Sequence, residues 1–356
     1  MLNSLPFAIS FVFFPLALLG AWYGGFWILA APIYAFIAIP ASDIAMKINE
    51  AHLPPDTDEK TLIWHRVLTS AWLPVQLVMI YGLIWIATKT DRLTTLETGA
   101  MAICVGIAAG GIGITYAHEM IHQRNKFERA IGELLMCSSL YGHWCTEHVY
   151  GHHINVATPS DPATARESEN IYQFLPRVLI GTVTSAWNIQ VSQLQKRKVS
   201  FWSKHNAFLR YGLFTVLFIG AAVTIGGWMG LSILLIQAVV AILLLELVDY
   251  VEHYGLLRRR RENGSFEPTQ PHHSWNSGHQ ASNWLLANLQ RHSDHHFNPS
   301  RRFPLLQSLP ESEAPQLPFG YPWMVILALV PPMFSKVMTP RLRAWQSQFY
   351  PEETSR

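Results

Sequence analysis

The chain has 356 residues, half of them hydrophobic and only 14% charged, with a formal net charge of +2. Such a composition is poor material for a water-soluble surface, and the near-balanced charge gives no basic footprint for nucleic acid. The class it leaves is an integral-membrane protein.

The charges are segregated along the chain. Before Lys47 the only charged side chain is Asp43, and none falls within 67–88, 98–117 or 211–245. Runs of about 20 apolar helical residues cross a bilayer core of about 30 Å. The first apolar block is too long for one helix and carries Gly20, Gly24 and Gly25 near its middle, which predicts two spans, 5–22 and 25–42. No basic residue precedes Lys47, so the block reads as a retained hairpin rather than a signal peptide. The runs 67–88 and 98–117 add two spans. Gly226, Gly227 and Gly230 predict a tight turn that divides 211–245 into spans five and six. A last apolar piece, 321–335, is too short to span and contains Pro331 and Pro332, which predicts interfacial placement or packing on the protein.

The expected fold is therefore all-α, with six transmembrane helices and a histidine-rich region on one side. Its expected divisions are 1–117 with spans one to four, 118–206 with the first histidine clusters, 207–250 with spans five and six, and 251–356 with the last clusters. In this arrangement only Lys89 and Arg92 of the 26 basic residues lie on the opposite side. Basic residues collect in cytoplasmic loops, which predicts that both termini and every histidine are cytoplasmic. Cys104, Cys137 and Cys145 form no C-x-x-C pair and read as buried small residues, and an attached iron–thiolate carrier would need such pairs. Any electron carrier is expected to be a separate protein.

Nine of the sixteen histidines fall in four clusters: HEMIH (118–122), EHVYGHH (147–153), EHYG (252–255) and HSDHH (292–296). On a helix, His118 and His122 project from one face and suit a single ion; His148 with His152, and His292 with His296, repeat that spacing. Glu119, Glu147, Glu252 and Asp294 stand beside these histidines, where carboxylates commonly accept the second ring N–H. One isolated H-E-x-x-H pair would equally suit an intramembrane zinc protease, but it leaves seven histidines unused. A metal transporter would place its polar ligands at mid-membrane, and these spans are almost free of ionisable groups. Imidazole suits Zn, Cu, Fe and Ni, and nine donors divide as four and five around two ions with positions left for oxygen, which points to redox iron.

With these motifs on the page, the chain resembles the integral-membrane alkane 1-monooxygenases of the membrane diiron hydroxylase and desaturase superfamily. HEMIH, EHVYGHH, YVEHYGLLR and LQRHSDHH look like the family's boxes, and the resemblance continues through GHHINVATPSDPATAR (151–166) and PHHSWNSGH (271–279). It implies two iron ions held by His118, His122, His148, His152, His153, His253, His292, His295 and His296. It further implies hydroxylation of the terminal methyl of medium- to long-chain alkanes with O2, electrons from rubredoxin and its NAD(P)H-dependent reductase, and a place in the bacterial inner membrane among its lipids. Related activities, an alkylbenzene methyl monooxygenase or a fatty-acid desaturase or hydroxylase, share the implied irons.

Asp249 stands where the family usually has Asn, and Met120-Ile121 replaces a commoner Leu-Gly; neither removes a ligand. Asp249 and His273 join the four acids as expected outer partners of the site, and a hydrogen-bonding role is expected for His143 and His273 over ligation. Trp22, Tyr34, Phe36 and Trp85 are expected as interfacial anchors or walls of a substrate channel. Arg258 to Arg261 form a candidate docking patch for an acidic electron donor, or a topology signal.

Overall fold

The computed structural model of the protein describes residues 2–350; Met1 and residues 351–356 of the expected C-terminal region lie outside them. Among the described residues the only β-type pairing is three isolated bridges, and the rest of the regular structure is helical. Four apolar helices long enough to cross a bilayer come first: α1 (Asn3–Tyr23), α2 (Gly25–Met46), α3 (Glu59–Lys89) and α4 (Thr95–Ile121). There follow α5 (Lys126–Ser138), the helical stretch α6 running 144–155, α7 (Ile171–Lys196) and α8 (Ala207–His253). The chain ends with α9 (Gln280–Leu285), α10 (His292–Phe297), α11 (Tyr321–Ala328) and α12 (Pro331–Phe349).

At about 1.5 Å per residue, the 47-residue α8 would run about 70 Å, twice what a bilayer core needs. It is broken at Gly227, whose φ of 57° and ψ of −139° lie outside the helical region. The break gives the expected spans five and six. Gly230 allows the turn to be tight, because a Cβ there would lie 2.2 Å from the Ala222 carbonyl oxygen. The last apolar piece is also as expected: α11 and α12 meet at 120°, and α11 packs on α8.

α4 is the axis of the assembly, with 78% of its apolar window buried inside the protein against 33–44% for the other spans. It lies against the second half of α8 through small residues. A Cβ on Gly106 would meet the Gln237 carbonyl at 2.8 Å, and one on Gly110 would meet the Ala241 Cα at 2.9 Å. From Ala109 to Ile114 the helix widens into a π-helical turn directly ahead of HEMIH, a feature that recurs at functional sites. Polar groups in this core are paired: the Trp72 indole donates to Gln76 one turn along α3 (3.0 Å), and across helices Gln76 and Gln237 donate to the hydroxyl and carbonyl of Ser138 (2.8 and 3.0 Å).

Gly110→Ala is expected to force α4 from α8 and lower stability by about 1–3 kcal/mol. Gly99→Ala, a helical position with open space around it, is expected to leave stability unchanged or slightly raised. Thermal unfolding of the two purified variants in detergent checks the contrast.

Candidate metal centre

Each histidine segment is delivered by a different element: His118 and His122 by the end of α4, His148 to His153 by α6, His253 by the last residue of α8, and His292 to His296 by α10. All nine converge, and they sort into two groups. His118, His122, His148, His153 and His295 form one; His152, His253, His292 and His296 form the other. Within each group one ligand atom from every residue lies within 4.8 Å of every other.

The sorting departs from the helical expectation at one place. His118 with His122 and His292 with His296 share a group, as i, i+4 pairs on an α-helix should. His148 and His152 do not: His148 pairs with His153, and His152 joins the other group. The cause is the π-helical turn His148–His152, whose wider winding brings i and i+5 together in place of i and i+4. The His152-His153 and His295-His296 doublets thus each feed both groups.

The donor set itself fits cations. His153 Nε2 faces His148 Nε2 at 3.0 Å and His295 Nε2 at 3.1 Å. His292 Nε2 faces His253 (3.1 Å) and His296 (2.9 Å), and His296 Nε2 also faces His152 (3.2 Å). An imidazole nitrogen has one in-plane site, a proton or a lone pair, so a nitrogen facing two others cannot satisfy both by hydrogen bonding. The Nε2 atoms of His118 and His122 are buried with no partner at all. Nitrogens bound at right angles to one ion at about 2.1 Å would themselves lie about 3 Å apart. These separations are those of ligands around an ion.

Burial pushes His122 down to about 3 and holds His148, His153, His292, His295 and His296 well below the usual imidazole range, with neighbouring imidazoles adding to the effect. Neutral rings are what metal ligation needs.

One carboxylate holds an imidazole in register. Asp161 Oδ2 accepts from His152 Nδ1 at 3.0 Å and from the Thr164 hydroxyl at 2.6 Å, while Ala163 N–H donates to Oδ1. Burial alone would raise Asp161, but the charge and hydrogen bonds of His152 and Thr164 outweigh it and keep the group below the ordinary carboxylate range. The bond fixes a proton on His152 Nδ1 and turns its Nε2 lone pair toward the other imidazoles. Asp161 lies in the family-like run GHHINVATPSDPATAR, the one signal that could have singled it out.

The acids named from the sequence are arranged differently. Glu252 Oε1 lies 3.3 Å from His292 Nδ1. Glu119 accepts from Phe303 N–H and Gln123, Glu147 from Ser185, and Asp294 from Arg301, Asn298 and Gln307 N–H. Glu119, Glu147 and Asp294 therefore fasten segments to one another and leave the imidazoles to other partners. Arg302 reinforces this, pairing with Glu128 and Glu59 at 3.0 Å each.

His273 stands outside both groups. Its Nδ1 accepts from Gln270 N–H, so its proton sits on Nε2, facing Glu267 and Tyr350. His143 also stands apart, against the Tyr141 ring. The PHHSWNSGH run acts as a clamp: Trp275 N–H donates to the Glu252 carbonyl, and Asn276 exchanges two hydrogen bonds with Ser293 on α10. Arg258 is committed to the carbonyls of Ile154 and Glu267, which removes it from a free docking patch.

Above the imidazoles lies a narrow cavity of about 70 Å³ walled by Phe13, Phe36, Ile107, Leu244, Val248 and Leu286, with His118, His148, His292, Asp249 and Glu252 at its polar end. Phe36 is the one of the four early aromatic residues that lines it. Trp22 and Trp85 are exposed, Trp22 beneath Arg92, and Tyr34 donates to the Ile9 carbonyl.

The family model described as fatty acid desaturase matches residues 96–328. Alkane 1-monooxygenase 2 of Pseudomonas aeruginosa is 36% identical over 323 residues, covering 90% of this chain and 84% of that protein. Alkane 1-monooxygenase of Ectopseudomonas oleovorans is 36% identical over 335 residues, covering 94% and 79%. The chain belongs to the alkane 1-monooxygenase family. It is a multi-pass membrane oxidoreductase of the monooxygenase type, and its relatives point to alkane hydroxylation with O2. A more distant relative is the xylene/toluene monooxygenase hydroxylase component of Pseudomonas putida, 27% identical over 340 residues, 93% of this chain and 87% of that protein.

Asp161→Ala is expected to weaken metal retention about 10- to 100-fold while leaving helix content intact, read by metal titration alongside circular dichroism. A pH dependence follows from imidazoles kept neutral by the fold. His143 and His273 are pushed down to about 4 by burial, whereas unfolded histidines protonate near about 6.5. The unfolded chain then binds more protons, so stability is complete above about pH 6.5 and falls as pH drops toward about 4. Metal-free protein is expected to lose the contribution of these two histidines to its melting temperature as pH falls from about 6.5 toward about 4.

Proposed function

We propose that the two imidazole groups hold a pair of non-haem irons, with His118, His122, His148, His153 and His295 on one ion and His152, His253, His292 and His296 on the other. The proposed reaction is hydroxylation of the terminal methyl of medium- to long-chain n-alkanes: R–CH3 + O2 + 2e⁻ + 2H⁺ gives R–CH2OH + H2O. The observation that carries this reading is the meeting of an apolar cavity with three of the nine imidazoles, those of His118, His148 and His292.

Bound iron supplies the activation of O2 and cleavage of the unactivated C–H bond. The protein's own residues do the rest. Phe13, Phe36, Ile107, Leu244, Val248 and Leu286 hold an alkyl chain by apolar contact and exclude water from the polar end. Asp161 orients His152. A substrate dissolved in lipid enters such a cavity without crossing water, which accounts for embedding the enzyme in a membrane.

Electrons are proposed to come from rubredoxin and its NAD(P)H-dependent reductase, because the three cysteines are buried and free and provide no carrier of the chain's own. The excess of basic residues on the histidine side supports a cytoplasmic site with the chain in the bacterial inner membrane. The identity to alkane 1-monooxygenases, 34–38% across seven relatives, exceeds that to the xylene/toluene enzyme at 27% and favours linear alkanes over alkylbenzenes.

Purified protein supplied with rubredoxin and its reductase is expected to convert octane or hexadecane to the 1-alkanol and to act weakly on xylene. His292→Ala is expected to abolish turnover and lower bound iron, measured by product analysis and metal analysis of the same preparation. Normal turnover in that variant would remove His292 from the ligand set.

A further inference from the structure

A second concave site, separate from the cavity over the imidazoles, lies where α4 ends at Ile121 and α8 begins near Tyr211. Both are points at which a charge-free apolar run meets the histidine side of the protein, so the site sits at the membrane–water boundary. It offers about 200 Å³ between α5, α6, the end of α7 and the loop 198–206. Arg129, Arg197, Lys204 and Arg210 line it, together with His205.

The charge there is unbalanced. Glu133 is the one carboxylate in the lining, and it is consumed by Arg210 through two bonds of 2.6 and 2.8 Å. Arg197 faces only His205, with Nη1 3.3 Å from Nδ1. Arg129 and Lys204 form no ion pair among the described residues. Three cations in one concavity with no counter-charge repel one another unless an anion joins them. The Thr146 and Tyr211 hydroxyls, 3.1 Å apart, add polar groups at the same wall.

Aromatic residues next to Lys204 on the same loop identify the source of that anion. Trp202 is 78% exposed, and Phe201 and Trp187 are also exposed. The three rings form one cluster, with Phe201 5.3 Å from Trp202 and 5.8 Å from Trp187. Exposed aromatic rings at the level where spans end are membrane-interface anchors, and a site for a soluble ion has no use for them. Basic pockets between helices at this depth suit lipid phosphates, with arginine the preferred partner of the phosphate oxygens.

We propose that this pocket binds the phosphate headgroup of an anionic phospholipid, with the acyl chains lying along the exposed face of the first half of α8, which carries Leu213, Val216 and Leu217. The site stands independently of the reaction proposed above. Cys145, Thr146 and Val149 of its wall belong to the stretch that carries His148 to His153, so a bound headgroup braces that stretch from the side opposite the imidazoles.

The test is native mass spectrometry of the full-length protein in a non-ionic detergent, titrated with dioleoyl phosphatidylglycerol, dioleoyl phosphatidylcholine or potassium phosphate. One phosphatidylglycerol is expected to remain bound on the order of tenfold more tightly than phosphatidylcholine, and millimolar phosphate is expected not to displace it. Two surface cations lost together are worth on the order of tenfold. Arg197→Ala/Lys204→Ala should weaken the lipid by that factor, and Lys336→Ala/Arg341→Ala on α12 should not. If the double variant does not fold, Arg129→Ala alone is expected to weaken binding severalfold. Equal retention of the two lipids, unchanged binding in the pocket variants, or displacement by inorganic phosphate would each overturn the proposal, the last by making this a site for a soluble anion.

Discussion

Seven of the nine imidazoles are packed with their Nε2 atoms about 3 Å apart and cannot all satisfy one another, and that conflict organises the rest of the structure. Buried nitrogens without partners cost stability unless cations complete them. The segments that bear them therefore have to be held in place before any ion arrives. The fastening is visible: Arg302 ties the segment after α10 to α5, Glu119 accepts from Phe303 N–H, and Trp275 and Asn276 clamp the end of α8 to α10. Arg291 does similar work from inside, donating to the carbonyls of Leu306 and Ala51; burial lowers it to about 10, still charged at neutral pH.

The membrane half serves the same end by a different device. α4 approaches α8 closely enough that Gly106 and Gly110 have no room for a side chain, and this contact aims the two helices that deliver His118, His122 and His253 at a common point. The apolar walls between them form the cavity that leads to the imidazoles. Substrate access, exclusion of water and metal placement thus depend on one packing interface.

Much of this was legible in the residues. The six spans followed from charge-free runs and from the glycines that break them, because bilayer thickness imposes a length that sequence can be measured against. The division of nine donors into groups of five and four followed from number alone. What could not be read was which histidine belongs to which group. An α-helical period pairs His148 with His152, and only the π turn, set by how α6 packs against α7, pairs His148 with His153 instead. The acids show the same limit. Proximity in sequence marked Glu119, Glu147 and Asp294, yet the fold gives them to backbone N–H groups and other side chains, and Asp161, nine residues beyond His152, takes the imidazole. Carboxylate partners are chosen by tertiary contact, which local sequence does not encode.

Mössbauer spectroscopy of iron-57-loaded protein, combined with X-ray absorption at the iron edge, tests the central claim most directly. The account requires two irons per chain in nitrogen-dominated coordination. A single iron per chain, or a site rich in sulfur or lacking imidazole scattering, would contradict it.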